Sequence, residues 1–154
     1  MLVRKFEQQD LPQVLDLCRQ VRNYHIEILH GYFAPQDDNF EKYGFLESLK
    51  NDDFIALVIE ENKEILGYLL AEYKYSPHLL EAKVVHIANI GIKQELRGQG
   101  LGKKLMSSFY NICQQNNVDE IRLGVFNKNV SAYKFYEQYG FEPFEQRMKL
   151  RLKK

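Results

Sequence analysis

Three glycines at alternate positions, Gly98, Gly100 and Gly102, form the segment best suited to chemistry. They lie between an apolar strand pattern and a helical pattern, where the first amide groups of a helix have no intrahelical partner and the helix dipole is positive. Without side chains there, a diphosphate can approach the backbone closely. Neighbouring basic residues add positive charge: Arg97, Lys103 and Lys104. The segment therefore predicts an anion-binding site.

Two common phosphate-binding motifs do not fit this segment. A P-loop requires Gly-x-x-x-x-Gly-Lys-Ser/Thr, but Arg97 occupies the first glycine position and Lys104 provides no hydroxyl group for magnesium. A dinucleotide fingerprint requires a glycine at position 103, and it normally opens its domain. A kinase-like site and a dinucleotide site are both disfavoured.

The surrounding hydrophobic patterns predict how the chain positions this loop. They indicate one α+β domain over residues 1–154, with the element order βααβββαβαβ and a single parallel crossover. Strands are predicted at 2–6, 53–61, 65–75, 82–92, 120–126 and 147–154. The first helix is predicted to begin at Asp10, which is placed as its cap, and a turn at 30–39 precedes a second helix at 40–49. A third helix is predicted from the glycines to about 116–117, and a fourth at about 130–138.

Composition restricts the class of protein. With 154 residues, 45% hydrophobic and 13% aromatic, the chain has enough apolar side chains for a core. It has no apolar run of about 20 residues and no secretory pattern, so we expect a soluble, cytoplasmic protein without a membrane partner. Cys18 and Cys113 are isolated in helical patterns, which predicts reduced core residues and no metal site.

The formal net charge of zero argues against a nucleic-acid partner, but the charges are unevenly distributed. Residues 1–77 carry 8 basic and 14 acidic side chains, a net charge of −6, whereas residues 78–154 carry 13 and 7, a net charge of +6. Ordinary surface charge is one explanation. The other is that one half faces an anion and the other half a cation.

Two motifs resemble those of the GNAT superfamily of acyl-coenzyme A N-acyltransferases. The segment from Arg97 to Gly102 is similar to the motif R/Q-x-x-G-x-G/A, and the segment from Asn129 to Phe141 resembles N-x-x-A-x-x-x-Y-x-x-x-G-F. The resemblance covers nearly the whole chain. It implies the GNAT fold: a mixed, mostly antiparallel sheet with splayed central parallel strands and flanking helices.

The resemblance implies acetyl-CoA as cosubstrate. Arg97 begins the motif, and the pyrophosphate would accept hydrogen bonds from the amides of Gly98, Gly100, Leu101, Gly102 and Lys103. Ile92 would pair its backbone with the pantetheine arm in the slot between the splayed strands. Asn129 matches a position that contacts the cofactor, and it also suits a helix N-cap.

Catalytic positions follow less directly. Tyr136 matches the family's usual general acid, which would protonate the departing thiolate, and a phenol with a pKa near 10 remains protonated at neutral pH. The attacking amine must lose a proton to a base or to a water relay. The predicted central strand contains no glutamate, so His86 and Glu72 are the nearest candidate bases. A covalent route through Cys113 is disfavoured, because it lies about 16 Å along the helix from Gly102.

The acceptor is expected to be a cationic amine, because the acidic half of the chain contains the segment that selects the acceptor in GNAT enzymes. Candidate pocket residues are Tyr24, His25, Glu27, Tyr32, Phe33, Asp37 and Asp38. Polyamines, aminoglycosides, protein lysines and N-terminal amines all remain open. Two alternatives also remain, a catalytically silent acyl-CoA sensor and a transferase of a longer acyl group. The final strand, or the edge beside it, predicts a homodimer.

Overall fold

A five-stranded sheet with the strand order β1-β2-β3-β4-β5 organises the first part of the chain. The computed structural model describes residues 1–33, 37–75, 80 and 83–153. Neighbouring strands are antiparallel except β4 and β5, which are parallel and joined by a crossover helix. The strands are β1 (Leu2–Lys5), β2 (Phe54–Glu61), β3 (Glu64–Tyr75), β4 (Lys83–Ile92) and β5 (Glu120–Leu123).

The described residues also form four α-helices, and the mixed sheet with its parallel pair confirms the predicted α+β class and its parallel crossover. The helices are α1 (Leu11–Ile28), α2 (Asn39–Ser48), α3 (Leu101–Gln115) and α4 (Val130–Glu137). The chain forms two compact units, residues 1–124 and 125–154, and α4 belongs to the second. Residues 34–36 in the predicted turn, Ala82 in the predicted strand 82–92, and Lys154 lie outside the described residues.

Helices pack on both faces of the sheet because β2 and β3 have runs of consecutive buried apolar residues, so that successive side chains are buried on opposite faces. The helices α1 and α2 cover one face, and their core with β2 and β3 includes Val14, Leu17, Cys18, Phe45, Val58, Tyr68 and Leu70. Helix α3 packs on the opposite face through its apolar stripe, with Leu101, Leu105, Met106, Phe109 and Cys113 buried. The central strands of the sheet are therefore covered on both faces.

Two sequence predictions differ from the structure. Asp10 occupies the N-cap position of α1, but its carboxylate makes no capping bond to that helix. It instead accepts hydrogen bonds from the Arg4 guanidinium at 2.7 and 2.9 Å and from the Glu7 amide at 2.8 Å. The predicted final strand is wrong for the residues that can be described: 141–153 contain no strand. The apolar alternation there has no strand partner to make it regular.

Candidate active site

The glycine loop, residues 97–103, adopts a backbone conformation that its glycines allow. Gly98 has φ +76° and Gly100 has φ +86°, a left-handed region that residues with a Cβ atom rarely adopt. A Cβ atom built on either glycine would meet nothing within 4 Å. The loop therefore borders open space, which a side chain would partly fill.

Helix α3 begins directly at this loop, with Gly100 as its N-cap. The Lys104 amide donates to the Gly100 carbonyl at 3.2 Å, which is the first bond of the helix. The amides that precede this bond are those of the N-cap and the first three helical residues, and they have no intrahelical acceptor. They belong to four of the five residues predicted to bind the pyrophosphate: Gly100, Leu101, Gly102 and Lys103.

Arg97 connects the loop to two other elements. Its Nε donates to the Ile92 carbonyl at 3.2 Å, and its guanidinium carbon lies 5.9 Å from the centre of the Tyr24 ring on α1. Arg97 is exposed on the surface. The structure thus brings the predicted pantetheine contact Ile92 together with the first residue of the phosphate motif.

Strands β4 and β5 separate before β4 ends. Their pairing runs from Val84 opposite Glu120 to Ile87 opposite Leu123, whereas β4 continues to Ile92 with β3 alone. A β-bulge occurs at this point, because Leu70 pairs with Asn89 and Ala71 pairs with Ile87, so that Ala88 is the extra residue. Residues 88–92 consequently present one backbone edge that β5 does not cover, as predicted for the splayed strands.

A cavity of about 170 Å³ opens beside the bulge, between the sheet and the helices α1 and α2. It is lined by Cys18, Val21, Arg22, His25, Phe33, Glu41, Ala88 and Asn89. The lining combines apolar side chains with a guanidinium, a carboxylate, an imidazole and an amide. Burial lowers the pKa of His25, although its hydrogen bond to the Val21 backbone opposes the shift. This imidazole is therefore mostly neutral at pH 7.

Two residues of the helical wall, Arg22 and Glu41, belong to an ion-pair network that extends beyond the cavity. Arg22 Nη2 lies 3.0 Å from Asp38 and 3.4 Å from Glu41. Asp38 also binds Arg19, with a closest contact of 2.6 Å, and these guanidinium hydrogen bonds are the main reason that its pKa is lowered. Arg19 also pairs with Asp16. Charged groups from α1 and α2 are thus held at the cavity by mutual pairing.

Asn89 is held in the cavity wall by a buried phenol. The Tyr68 hydroxyl donates to Asn89 Oδ1 at 2.9 Å, and Tyr68 is completely buried. Gly91, two residues further along, packs against the same ring, because a Cβ atom there would lie 2.7 Å from Tyr68. The strand therefore fixes the carboxamide of Asn89 on the face that α1 covers.

The candidate bases, Glu72 and His86, are directly opposite each other on β3 and β4. Burial lowers the pKa of His86, the charge of Lys74 adds to this shift, and the charge of Glu72 opposes it. Glu72 is 2.8 Å from Lys74. The structure brings the two candidates together, but neither of them lines the cavity.

The second unit contains the other two predicted site residues. Asn129 is the N-cap of α4, and its side chain accepts a hydrogen bond from the Ala132 amide at 3.2 Å. Tyr136 packs edge to face against Phe135 and Phe141 at centroid distances of 5.4 and 5.7 Å. Burial raises the pKa of Tyr136 to about 12, so its hydroxyl keeps its proton at neutral pH.

Among the candidate acceptor residues, only His25 and Phe33 line the cavity. The others have different surroundings: Tyr24 lies near Arg97, Glu27 is exposed, Tyr32 packs on Phe33, Asp37 bonds Asn39, and Asp38 joins Arg19 to Arg22. The sequence patterns did not indicate the polar lining residues Arg22, Glu41 and Asn89. The available signal was Asn89, a polar side chain in the mostly apolar second half of β4.

Other features of the described residues bear on the predicted chemistry. Cys18 and Cys113 are free and buried, as predicted, and burial raises the pKa of Cys18 to about 12 and that of Cys113 to about 11. Across ranges 1–33, 37–75 and 83–153, no group of three His, Cys, Asp or Glu side chains could hold a metal ion. Within the same ranges, every helix is too short or too polar to cross a bilayer.

Comparison with known proteins identifies relatives of this arrangement. A model of the acetyltransferase (GNAT) family matches residues 18–141. The thialysine N-epsilon-acetyltransferase of Bos taurus is 23% identical over 145 residues, which cover 91% of this chain and 83% of that protein. A mutant BH1408 protein from Bacillus halodurans is 25% identical in sequence, with a TM-score of 0.88 and 99% coverage of both chains.

A further solved structure contains a ligand. It is AAC(6')-Iy in complex with the bisubstrate analogue CoA-S-monomethyl-acetylneamine, with 18% identity, a TM-score of 0.75, and coverage of 99% of this chain and 97% of that chain. At this identity the likeness concerns the fold alone.

Proposed function

Because the chain belongs to the acetyltransferase (GNAT) family, we propose that it transfers an acetyl group from acetyl-CoA to a primary amine of a cationic acceptor. The observation that carries this proposal is the pair of left-handed glycines, Gly98 and Gly100, immediately before the first turn of α3. A second feature supports it, the uncovered backbone edge of residues 88–92. The same part of the fold thus offers hydrogen-bond donors for an anion and a strand edge for an extended arm.

The residues present fit coenzyme A. Its pyrophosphate suits the amides at the glycine loop, where a Cβ atom on Gly98 or Gly100 would enter the space that the anion needs. Arg97 and Lys103 add positive charge beside it. Ile92 would pair its backbone with the pantetheine arm. The Ile92 carbonyl would then exchange the hydrogen bond that Arg97 Nε donates for one from the arm. Asn129 would contact the cofactor from the start of α4.

The chemistry that acetyl-CoA supplies when bound is an activated thioester. Transfer forms a nitrogen–carbon bond to the acetyl group and breaks the carbon–sulfur bond. The ammonium nitrogen of the acceptor loses two protons in all: one is released before attack, and the other leaves the nitrogen after attack and balances the proton that the thiolate gains. Tyr136 donates the proton to the thiolate and recovers one from the nitrogen through solvent, and its pKa of about 12 keeps the phenol protonated before transfer. The high pKa values of both buried thiols support direct attack by the amine rather than a cysteine intermediate.

His86 and Glu72 remain our candidates for removing the proton from the amine. The lowered pKa of His86 favours a neutral imidazole that can accept a proton at pH 7. Since neither side chain lines the cavity, the proton would reach them through water. This role is part of the proposal and requires its own test by His86→Asn and Glu72→Gln.

The acceptor is proposed to be cationic because residues 1–77, which supply the helical wall of the cavity, have a net charge of −6. Polyamines, aminoglycosides, protein lysines and N-terminal amines share this charge. The relative from Bos taurus is a thialysine N-epsilon-acetyltransferase, which supports an amine on an aliphatic arm. Residues 1–154 would form one domain, since the family match includes parts of both units. We place the enzyme in the cytoplasm, where its two free thiols would stay reduced.

The test is a thiol-release assay with acetyl-CoA and a panel of amines from these four classes. We expect transfer to cationic amines, with the acetylated product identified by mass spectrometry. Coenzyme A binding without transfer to any amine would instead indicate an acyl-CoA sensor. Absence of coenzyme A binding would reject the cofactor site itself.

A further inference from the structure

Glu41 is a buried carboxylate whose surroundings leave part of its bonding capacity for a ligand. It lies on α2, is 8% exposed, and lines the cavity beside the β4 bulge. Its contact with Arg22 is 3.4 Å, longer than the usual 2.7 to 2.9 Å of a charge-assisted hydrogen bond, and the same nitrogen is closer to Asp38. A carboxylate has about four acceptor sites, so a second cation can bind without displacing Arg22.

The charge balance of the network favours a positive ligand. Three carboxylates, from Asp16, Asp38 and Glu41, face two guanidinium groups, from Arg19 and Arg22. Arg22 and Glu41, the two of these groups that line the cavity, balance each other, and the other three give the network a net charge of −1. His25 and Cys18, which also line the cavity, add little charge at pH 7, because burial lowers the pKa of His25 and raises that of Cys18. A cation that enters the cavity neutralises the excess.

The volume and lining of the cavity suit a cation on a narrow arm. Its volume is about 170 Å³, comparable with the engineered cavity of about 150 Å³ that holds one benzene molecule. An unbranched arm of about six non-hydrogen atoms occupies similar space. Val21, Phe33 and Ala88 provide apolar contacts for methylene groups, while Glu41 supplies the polar contact on α2.

We propose that Glu41 determines acceptor specificity by binding a second ammonium group, while the amine to be acetylated lies against the β4 bulge. The preferred acceptor is then a short aliphatic arm with a positive charge at each end. This inference rests on the proposed function, but it concerns one residue to which neither the family match nor the sequence motifs assign a role. Glu41 is a specificity-determining residue and takes no part in proton transfer.

The experiment compares three amines that share a four-carbon chain: butane-1,4-diamine, butylamine and 4-aminobutanoate. We measure kcat/KM with acetyl-CoA for the wild type, Glu41→Gln and the control Glu47→Gln. Glu47 lies on the same helix and does not line the cavity. The wild type should prefer the diamine to butylamine by about 10-fold or more, and 4-aminobutanoate should be the poorest. Glu41→Gln should lower the value for the diamine by about 10- to 100-fold, mainly through KM, and that for butylamine by less than about 3-fold.

Two further measurements keep this inference separate from the proposed function. Calorimetry with butane-1,4-diamine and coenzyme A detects binding without transfer, so Glu41-dependent binding by an inactive protein would support this inference and reject the transfer activity. If Glu41→Gln lowers the melting temperature, Glu41→Asp provides the alternative test. It keeps the charge and should retain part of the preference for the diamine. Equal losses of kcat/KM for the diamine and butylamine would overturn the role of Glu41. So would a preference for 4-aminobutanoate, because it would assign recognition to Arg22.

Discussion

The proposed cofactor loop and the proposed acceptor cavity are built from different parts of the polypeptide. The loop relies on backbone amides and left-handed glycines within one short segment, Arg97 to Lys103. The cavity relies on side chains from α1, α2 and β4 that are far apart in sequence. A site made from backbone leaves a local sequence signature, whereas a site made from packed side chains depends on the whole fold.

The largest effect should come from a side chain in the cofactor loop. Gly100→Val should abolish coenzyme A binding detectable by calorimetry, because the added atoms fill the space above the first amides of α3 and the backbone resists φ +86°. Thermal unfolding should remain cooperative, with a cost of about 1–2 kcal/mol for the left-handed residue.

Gly31→Val is the matched control for this substitution. Gly31 also has a left-handed φ, +70°, and open space around its Cβ position, but it lies outside the cofactor loop. It should show a similar loss of stability with unchanged affinity for coenzyme A. Equal losses of affinity in both variants would mean that backbone strain, and not the loop, explains the effect.

The next largest effect concerns Tyr136. Tyr136→Phe retains the ring contacts with Phe135 and Phe141 but removes the proposed acid, so kcat should fall by about 10²- to 10⁴-fold. Acetyl-CoA affinity, measured by calorimetry, should hardly change. Tyr133→Phe on the same helix is the control and should keep the wild-type rate. Undiminished turnover in Tyr136→Phe would assign protonation of the thiolate to water or to another residue.

The pH profile provides a second test of Tyr136. Burial raises its pKa to about 12, so the protonated phenol persists and this group should cause no loss of kcat between pH 8 and pH 10. The rate should decline only as the pH approaches the raised pKa. A wild-type decline near pH 9 that disappears in Tyr136→Phe would show that the phenol ionises more easily than its burial implies.

A smaller effect should distinguish long-range attraction from the contact at Glu41. The advantage of dicationic over neutral amines in kcat/KM should shrink a few-fold between low salt and about 1 M salt, where the screening length falls to about 3 Å. The buried contact is screened less, so part of the preference should remain. A neutral or acidic amine as the best acceptor would contradict the proposed role of charge.

The smallest effect on activity is expected from the C-terminal segment. Met148, Leu150 and Leu152 are exposed and alternate with basic residues, and we propose that they support a homodimer. Leu150→Glu should lower the mass measured by sedimentation at micromolar concentration, while kcat changes little. A wild-type protein that is monomeric under these conditions would count against the dimer.

The sequence predicted the features that depend on local chemistry. Gly98 and Gly100 marked the loop because their φ angles require glycine, and the apolar pattern of residues 82–92 marked the strand beside it. The β-hairpin was also predictable, since Asn62 and Lys63 occupy its left-handed turn between two strands rich in β-branched and aromatic residues.

Features that depend on distant contacts were not predictable. Asp10 is suitable as a helix cap, but a guanidinium six residues earlier in the chain binds its carboxylate instead. Glu41 is one of many acidic side chains in the sequence, and only the packing of α2 on the sheet buries it beside β4. The alternation at 147–154 predicts a strand, yet a strand also needs a partner.

Because of the bulge at Ala88, the number of residues in β4, and not only their identity, determines which side chains face the cavity. Side chains alternate along β4, so the extra residue directs Asn89 to the face covered by α1, where it bonds Tyr68, instead of the face covered by α3. Loss of one residue at the bulge would move each side chain on one side of it to the opposite face of the sheet. Substitutions on α1 and α2 can therefore change the lining of the cavity one side chain at a time, whereas an insertion or deletion in β4 changes the facing of several side chains at once.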